Sequence, residues 1–140
     1  MLDVRMTAIA AVVGVVLILV VIFGSSFVVR RSRRNTKLAN FKPRWQEVQK
    51  LCAKSETWPL AIINADKLVD EALKLIGYKG KTMGERLVAA QRTLTNNDGV
   101  WFGHKLRNKL VHEQTPPLKQ TEVMRVLTGF REALKDLGAL

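Results

Sequence analysis

The sequence predicts an all-α protein: one N-terminal transmembrane helix followed by a small up-and-down bundle of about five helices. Three observations carry this prediction. Residues 7–29 form 23 consecutive positions without a charge. Beyond residue 40, apolar residues recur at three- and four-residue spacing, the period of an amphipathic helix. The alternating pattern of a half-buried strand and the Asn-Gly hairpin signal are both missing from the sequence.

The uncharged run is mostly Val, Ile, Leu, Ala and Phe. As a helix it spans roughly 35 Å at ~1.5 Å per residue, enough for a hydrocarbon core of about 30 Å. A cleaved signal peptide fits poorly, because the run is too long, lacks a small-x-small cleavage site and is followed at once by arginines. A buried core helix fits worse, since so short a chain has nothing with which to surround it. On the N-terminal side Asp3 offsets Arg5, whereas residues 30–44 hold seven bases (Arg30, Arg31, Arg33, Arg34, Lys37, Lys42, Arg44) and no acid. The positive-inside rule then gives a cell-membrane protein with four parts: a short external N-terminus at 1–6, a span at 7–29, a basic juxtamembrane linker at 30–42 and a cytoplasmic bundle at 43–138. Ala10 and Gly14, four apart, would let two spanning helices approach closely, but such spacing is common in apolar helices.

Charge supports the same division. The formal net charge is +11, and residues 45–140 contribute 15 bases against 11 acids. Most of the excess therefore marks topology and contact with anionic lipid rather than nucleic acid. Arg30, Arg31, Arg33, Arg34 and Lys37 are the expected membrane-surface residues. Cys52 is the single cysteine, so an intramolecular disulfide is excluded. In an apolar helical stretch without a nearby histidine, it reads as a packed core thiol rather than a nucleophile.

The bundle is read in order. Pro43 suits a first helical position, with Trp45, Val48, Leu51 and Cys52 recurring on one face. Lys54–Thr57 interrupts the pattern. A second helix runs from about Thr57–Pro59 to Ile76, burying Ala61, Ile62, Ala65, Leu68, Val69, Ala72, Leu73 and Ile76. Asp66, Lys67, Asp70, Glu71 and Lys74 form its solvated face, with an Asp70–Lys74 pair, and Gly77 and Gly80 end it. Thr82-Met-Gly-Glu85 is a capping box for a third helix that presents Met83, Leu87, Ala90 and Leu94. Asn97 or Asp98 caps a fourth helix reaching about His112, and Pro116-Pro117 closes that region. Thr121 caps the last, whose Val123, Leu127, Phe130, Leu134 and Leu137 precede a stop at Gly138.

The fourth helix differs from the rest. Both histidines of the chain lie in Trp101-Phe-Gly-His-Lys-Leu-Arg-Asn-Lys-Leu-Val-His112. At ~100° per residue, His104, Asn108 and His112 form a stripe with Arg107 at its edge, while Leu106, Leu110 and Val111 can face the core. Arg107-Asn108-Lys-Leu-Val-His112 resembles the Arg-(polar)-x-x-x-His signature of the HEPN superfamily of small helical bundles. Helix order and size agree over about residues 43–138, and the specific part is those six residues. The resemblance implies either a metal-independent ribonuclease or a non-catalytic relative, with two motifs meeting across a dimer in the active members.

On the ribonuclease reading, Arg107, Asn108 and His112 are the catalytic candidates, with His104 as a further one. His112, with an ordinary pKa of about 6.5, exchanges protons near neutrality; Arg107 forks onto two phosphoryl oxygens; Asn108 orients the ring or a substrate hydroxyl. The structural reading is that His112 interacts with the helix C-terminus, Arg107 pairs with Glu113 or an acid of the second helix, and Asn108 bridges helices. Trp101 and Phe102 could stack on bases, and beside Val100 and Leu106 they read better as core or dimer seam. His104 and His112 lie about 12 Å apart along the axis, too far to share one ion, so neither a metal nor a cofactor is expected. The favoured expectation is a dimerising, non-catalytic interaction module. The ribonuclease, and a membrane-surface adaptor binding anionic lipid through residues 30–44, are the alternatives. Expected partners are the lipid bilayer and a second copy or another protein, with RNA on the ribonuclease reading.

Overall fold

The structure, a computed structural model, describes residues 2–113 and 117–140. Pro116 of the expected Pro116-Pro117 stop lies outside them, as does the side chain of Arg5. Among the described residues all regular structure is helical, and the chain divides into two units at residues 36 and 37.

The first unit is almost the whole of α1, Leu2–Ala39. Its large apolar side chains from Val4 to Val29 are exposed, Val21 at 68% and Phe23 at 72% among them, and it is the one described helix long and apolar enough to cross a membrane. Ser25 and Ser26 return their hydroxyls to the Ile22 carbonyl at 3.0 and 2.8 Å, which satisfies both within the helix. The basic stretch, expected only as a linker, continues the same helix to Ala39. Arg and Lys are good helix formers, and neither Gly nor Pro interrupts residues 25–42.

The second unit is the bundle: α2 (Phe41–Leu51), a single 3-10 turn (Ser55–Thr57), α3 (Trp58–Ile76), α4 (Met83–Ala90), α5 (Asn97–His112) and α6 (Gln120–Asp136). The helix α3 is the hub and packs against each of the other four. Its apolar stripe falls where the periodicity placed it, and Ile62, Val69 and Leu73 are fully buried with Leu87, Val100, Val126, Phe130 and Leu134 of its neighbours. Phe41, Trp45 and Val48 attach α2 to this core, and Leu38 of α1 packs on it from the chain just before. Gly77 and Gly138, at φ 109° and 69°, end α3 and α6 in the left-handed conformation. In both, the following N–H returns to a carbonyl five residues back, Tyr78 to Leu73 at 3.0 Å and Ala139 to Leu134 at 2.8 Å, which closes a Schellman motif.

Three helix starts differ from expectation. Pro43 is the third residue of α2, because Phe41 already enters the helix and buries its ring. Asn96, not Asn97 or Asp98, caps α5: its Oδ1 accepts the Gly99 N–H at 2.8 Å, while Asn97 donates to the Gln91 and Leu94 carbonyls. The helix α6 starts one residue before Thr121, where Glu122 accepts the Lys119 N–H at 3.0 Å. The capping box of α4 holds on its threonine side, with Thr82 Oγ1 accepting from Glu85 N at 3.2 Å. Glu85 reaches back to the N–H of Lys81 rather than of Thr82.

The helices α5 and α6 approach closely through glycine. A Cβ on Gly129 would stand 2.5 Å from the Gly99 carbonyl carbon, and one on Gly103 would stand 2.6 Å from Phe130 Cζ. This contact fixes the rotation of α5, and so fixes which of its side chains face α3.

Candidate functional site on helix α5

That rotation turns His104 and Arg107 toward α3 and onto Asp66. Asp66 was expected on a solvated face; it is 4% exposed. It lies about 20° past Leu73 around α3 at ~100° per residue, at the edge of the apolar stripe, and α5 closes over that edge. A buried carboxylate requires hydrogen bonds or opposite charge, and α5 supplies both.

The four polar groups form a closed ring. His104 Nδ1 lies 2.8 Å from Asp66 Oδ1. Asn108 Nδ2 lies 3.4 Å from His104 Nε2, and Arg107 Nη1 donates to Asn108 Oδ1 at 3.0 Å. Arg107 Nε stands 3.4 Å from Asp66 Oδ2, near enough for an ion pair but out of line for a hydrogen bond. The donors and acceptors are consistent along the three hydrogen bonds, and the Arg107–Asp66 side is closed by charge alone, with the Arg107 Nε–H a buried donor without a partner among the described residues. An Nδ1–H given to Asp66 leaves Nε2 as an acceptor for the Asn108 amide, whose oxygen then faces Arg107. Trp101 meets the His104 ring edge to face, with centroids 6.2 Å apart and planes at 73°.

One turn farther along α3, Asp70 takes Arg86 of α4 through Nε at 2.8 Å and Lys74 at 2.6 Å, and Arg86 also donates to the Gly80 carbonyl. Burial pushes the Asp70 carboxyl up, but the hydrogen bonds and charges of Lys74 and Arg86 outweigh it and hold its pKa below the ordinary value. On the other flank, Glu71 accepts two hydrogen bonds from Arg44 of α2. These bonds, against the opposing effect of burial, hold its carboxyl low, and the same pairing raises the Arg44 guanidinium. The face expected to be solvated is thus a row of acids, each taking a base: Asp66 from α5, Asp70 from α4 and Glu71 from α2. The expected Asp70–Lys74 pair is part of that row.

Of the candidate residues, His104, Arg107 and Asn108 are brought together, and Arg107 takes an acid of the second bundle helix rather than Glu113. Asn108 links Arg107 to His104 along its own helix instead of bridging to another. His112 stands apart. It is exposed in the last turn of α5, and no side-chain hydrogen bond forms to it among the described residues. It lies about 7.5 Å along the axis and ~140° around the helix from Arg107. Leu106 and Leu110 are half-buried, but Val111 is 48% exposed rather than facing the core. Trp101 and Phe102 pack at the margin of the core, with the Arg125 guanidinium 4.1 Å above the Phe102 ring.

Arg30, Arg31, Arg33, Arg34 and Lys37 are exposed on α1 and fall within about 160° of arc at ~100° per residue. Cys52 is half-buried; its Sγ hydrogen-bonds the Val48 carbonyl at 3.2 Å, and burial pushes its thiol pKa up. Among the described residues, no three side chains of His, Cys, Asp or Glu gather into a metal-binding group. Comparison with known proteins yields no matching family model, no matching curated protein and no matching solved structure.

Proposed function

We propose that this chain is a single-pass membrane protein whose HEPN-like bundle acts at the cytoplasmic face as a non-catalytic interaction module. The observation that carries the reading is the closed ring on Asp66. His104 is bonded to the buried Asp66 and to Asn108, and Arg107 is held in ion-pair range of Asp66 with one N–H on Asn108, which suits a structural clasp. A phosphoryl-transfer site would instead hold its arginine toward substrate and a histidine within reach of it. The orientation rests on the basic cluster after α1. Pairing of two copies is favoured because the anchor confines the bundle to a plane and raises its effective concentration. The half-buried Phe102, Leu106 and Leu110, four residues apart on α5, offer such a pair an apolar row.

Ribonuclease activity through Arg107 and the exposed His112 of two copies is the competing reading. The full chain in nanodiscs, incubated with mixed RNA and a chelator, should leave the RNA intact. Chelator-resistant cleavage that disappears in His112→Ala would replace the interaction module with the enzyme. Cross-linking of the full chain in membranes should yield a dimer or a complex with another protein, and recovery as a monomer alone would remove the interaction reading.

A further inference from the structure

The strongest feature outside the α5 ring is a cleft of about 210 Å³ bordered by α2 and the end of α6. Lys42 enters it from α2, and Arg131 and Lys135, one helical turn apart, enter from α6. Gln46 and Gln49 add amide groups, and Leu140 completes the lining and brings the terminal carboxylate of the structure to its edge. None of the three cations makes a side-chain ion pair among the described residues, in contrast to the matched acids and bases along α3. The wall of the cleft includes Trp45, which is 5% exposed. Its indole N–H is a buried donor without a hydrogen-bond partner among the described residues. Three unpaired cations against one terminal carboxylate leave the cleft net positive, and a wall residue holds an unpartnered buried donor; this is the recognition chemistry of an oxyanion.

We infer that this cleft binds a phosphate group, with Arg131, Lys135 and Lys42 supplying charge and Trp45 lying in its wall. Arginine offers a planar fork to two phosphate oxygens, and the lysines neutralise the remainder as point charges. Lys42 follows the end of the uncharged run by only 13 residues. With so short a separation in sequence, an anionic lipid headgroup is one source of that phosphate, and free inorganic phosphate presents the same chemistry. The site shares no residue with the ring on Asp66 and does not depend on the function assigned to that ring.

The test uses the full chain with ¹⁵N-labelled tryptophan, and follows the indole N–H resonance that vanishes in Trp45→Phe. One arm adds inorganic phosphate to chains in phosphatidylcholine nanodiscs, at ionic strength held constant with chloride. The other replaces part of the phosphatidylcholine with phosphatidylglycerol and adds no phosphate. A shift of the Trp45 resonance in the first arm identifies free phosphate as ligand, and in the second an anionic headgroup. In either case the apparent affinity should fall about tenfold or more in Arg131→Gln with Lys135→Gln, the loss expected for charged hydrogen bonds. Both substituted side chains are exposed, and unmoved Trp58 and Trp101 resonances would report an intact fold. A Trp45 resonance stationary in both arms, or one that moves equally in the double variant, overturns the inference.

Discussion

Asp66 decides what the α5 motif can do. Its burial makes both His104 and Arg107 partners of an internal charge, so Asp66→Asn removes the anion that gathers them. Unfolding of the full chain in detergent, followed by the fluorescence of Trp45, Trp58 and Trp101, reports the bundle alone, because α1 has no tryptophan. Asp66→Asn should destabilise it by about 1–3 kcal/mol, the range for stranding a buried hydrogen-bonded group. His112→Ala, at an exposed position, should stay within about 0.5 kcal/mol. Equal effects of the two would dissolve the distinction between clasp and free histidine. Asp70 and Glu71 make a second residue-level prediction. Both carboxyls titrate below their ordinary values. Their contribution is thus complete above the unfolded-state pKa of about 4 and is lost as pH falls through the lower folded values. The urea midpoint should hold from neutrality to about pH 5 and drop below it, and Asp70→Asn should flatten that acid limb. The ring itself was half legible. His104, Arg107 and Asn108 stood out by type and spacing, and an acid of the second helix was among the partners considered for Arg107. Asp66 was read as solvated because its place beside Leu73 marks an edge, and an edge is buried only if a neighbouring helix covers it. That information belongs to tertiary packing.

At the scale of helices, periodicity located the span and all five bundle helices, and the errors fall at the N-terminal ends of α2, α5 and α6, at the end of α4, which stops at Ala90 before Leu94, and in α1, which runs on through the expected linker to Ala39. Runs such as Asn96-Asn-Asp-Gly99 contain several residues able to cap, and only the backbone geometry selects among them. The stops were clearer, because Gly77 and Gly138 each occupy a conformation that other residues resist. No comparable signal marks the α5–α6 contact, since a glycine inside a helix reads first as a weak helix former. Gly129 is the sharper case. An added methyl would meet the Gly99 backbone, which cannot rotate away, whereas at Gly103 it meets the Phe130 ring. Gly129→Ala and Gly103→Ala should each destabilise the bundle by about 1–3 kcal/mol, with Gly129→Ala the more severe. The same fluorescence-detected unfolding checks this, and a stabilised Gly129→Ala would mean that α5 and α6 lie farther apart. Because the contact sets the rotation of α5, hydrogen exchange along α5 and at Asp66 should rise together in both variants.

For the whole molecule, the long apolar helix and the bundle are separate units, and the proposed function depends on which side of the membrane the bundle occupies. Cys52 is a natural reporter but a slow one, since its thiol is half-buried and its raised pKa keeps the reactive thiolate scarce. Exposed positions serve better, with Cys52→Ser as background. Met6 stands at the N-terminal edge of the uncharged run, next to Arg5, and is 67% exposed, and Lys105 is exposed on α5. In intact cells an impermeant maleimide should label Met6→Cys and spare Lys105→Cys; after permeabilisation it should label both. The expectation follows from charge: translocating residues 30–44 would carry seven bases across the bilayer, whereas the N-terminal side holds one base offset by one acid. Labelling of Lys105→Cys in intact cells would place the bundle outside. The proposed contact of the basic face of α1 with an anionic inner leaflet would then be ruled out, and with it an inner-leaflet headgroup as ligand of the proposed cleft.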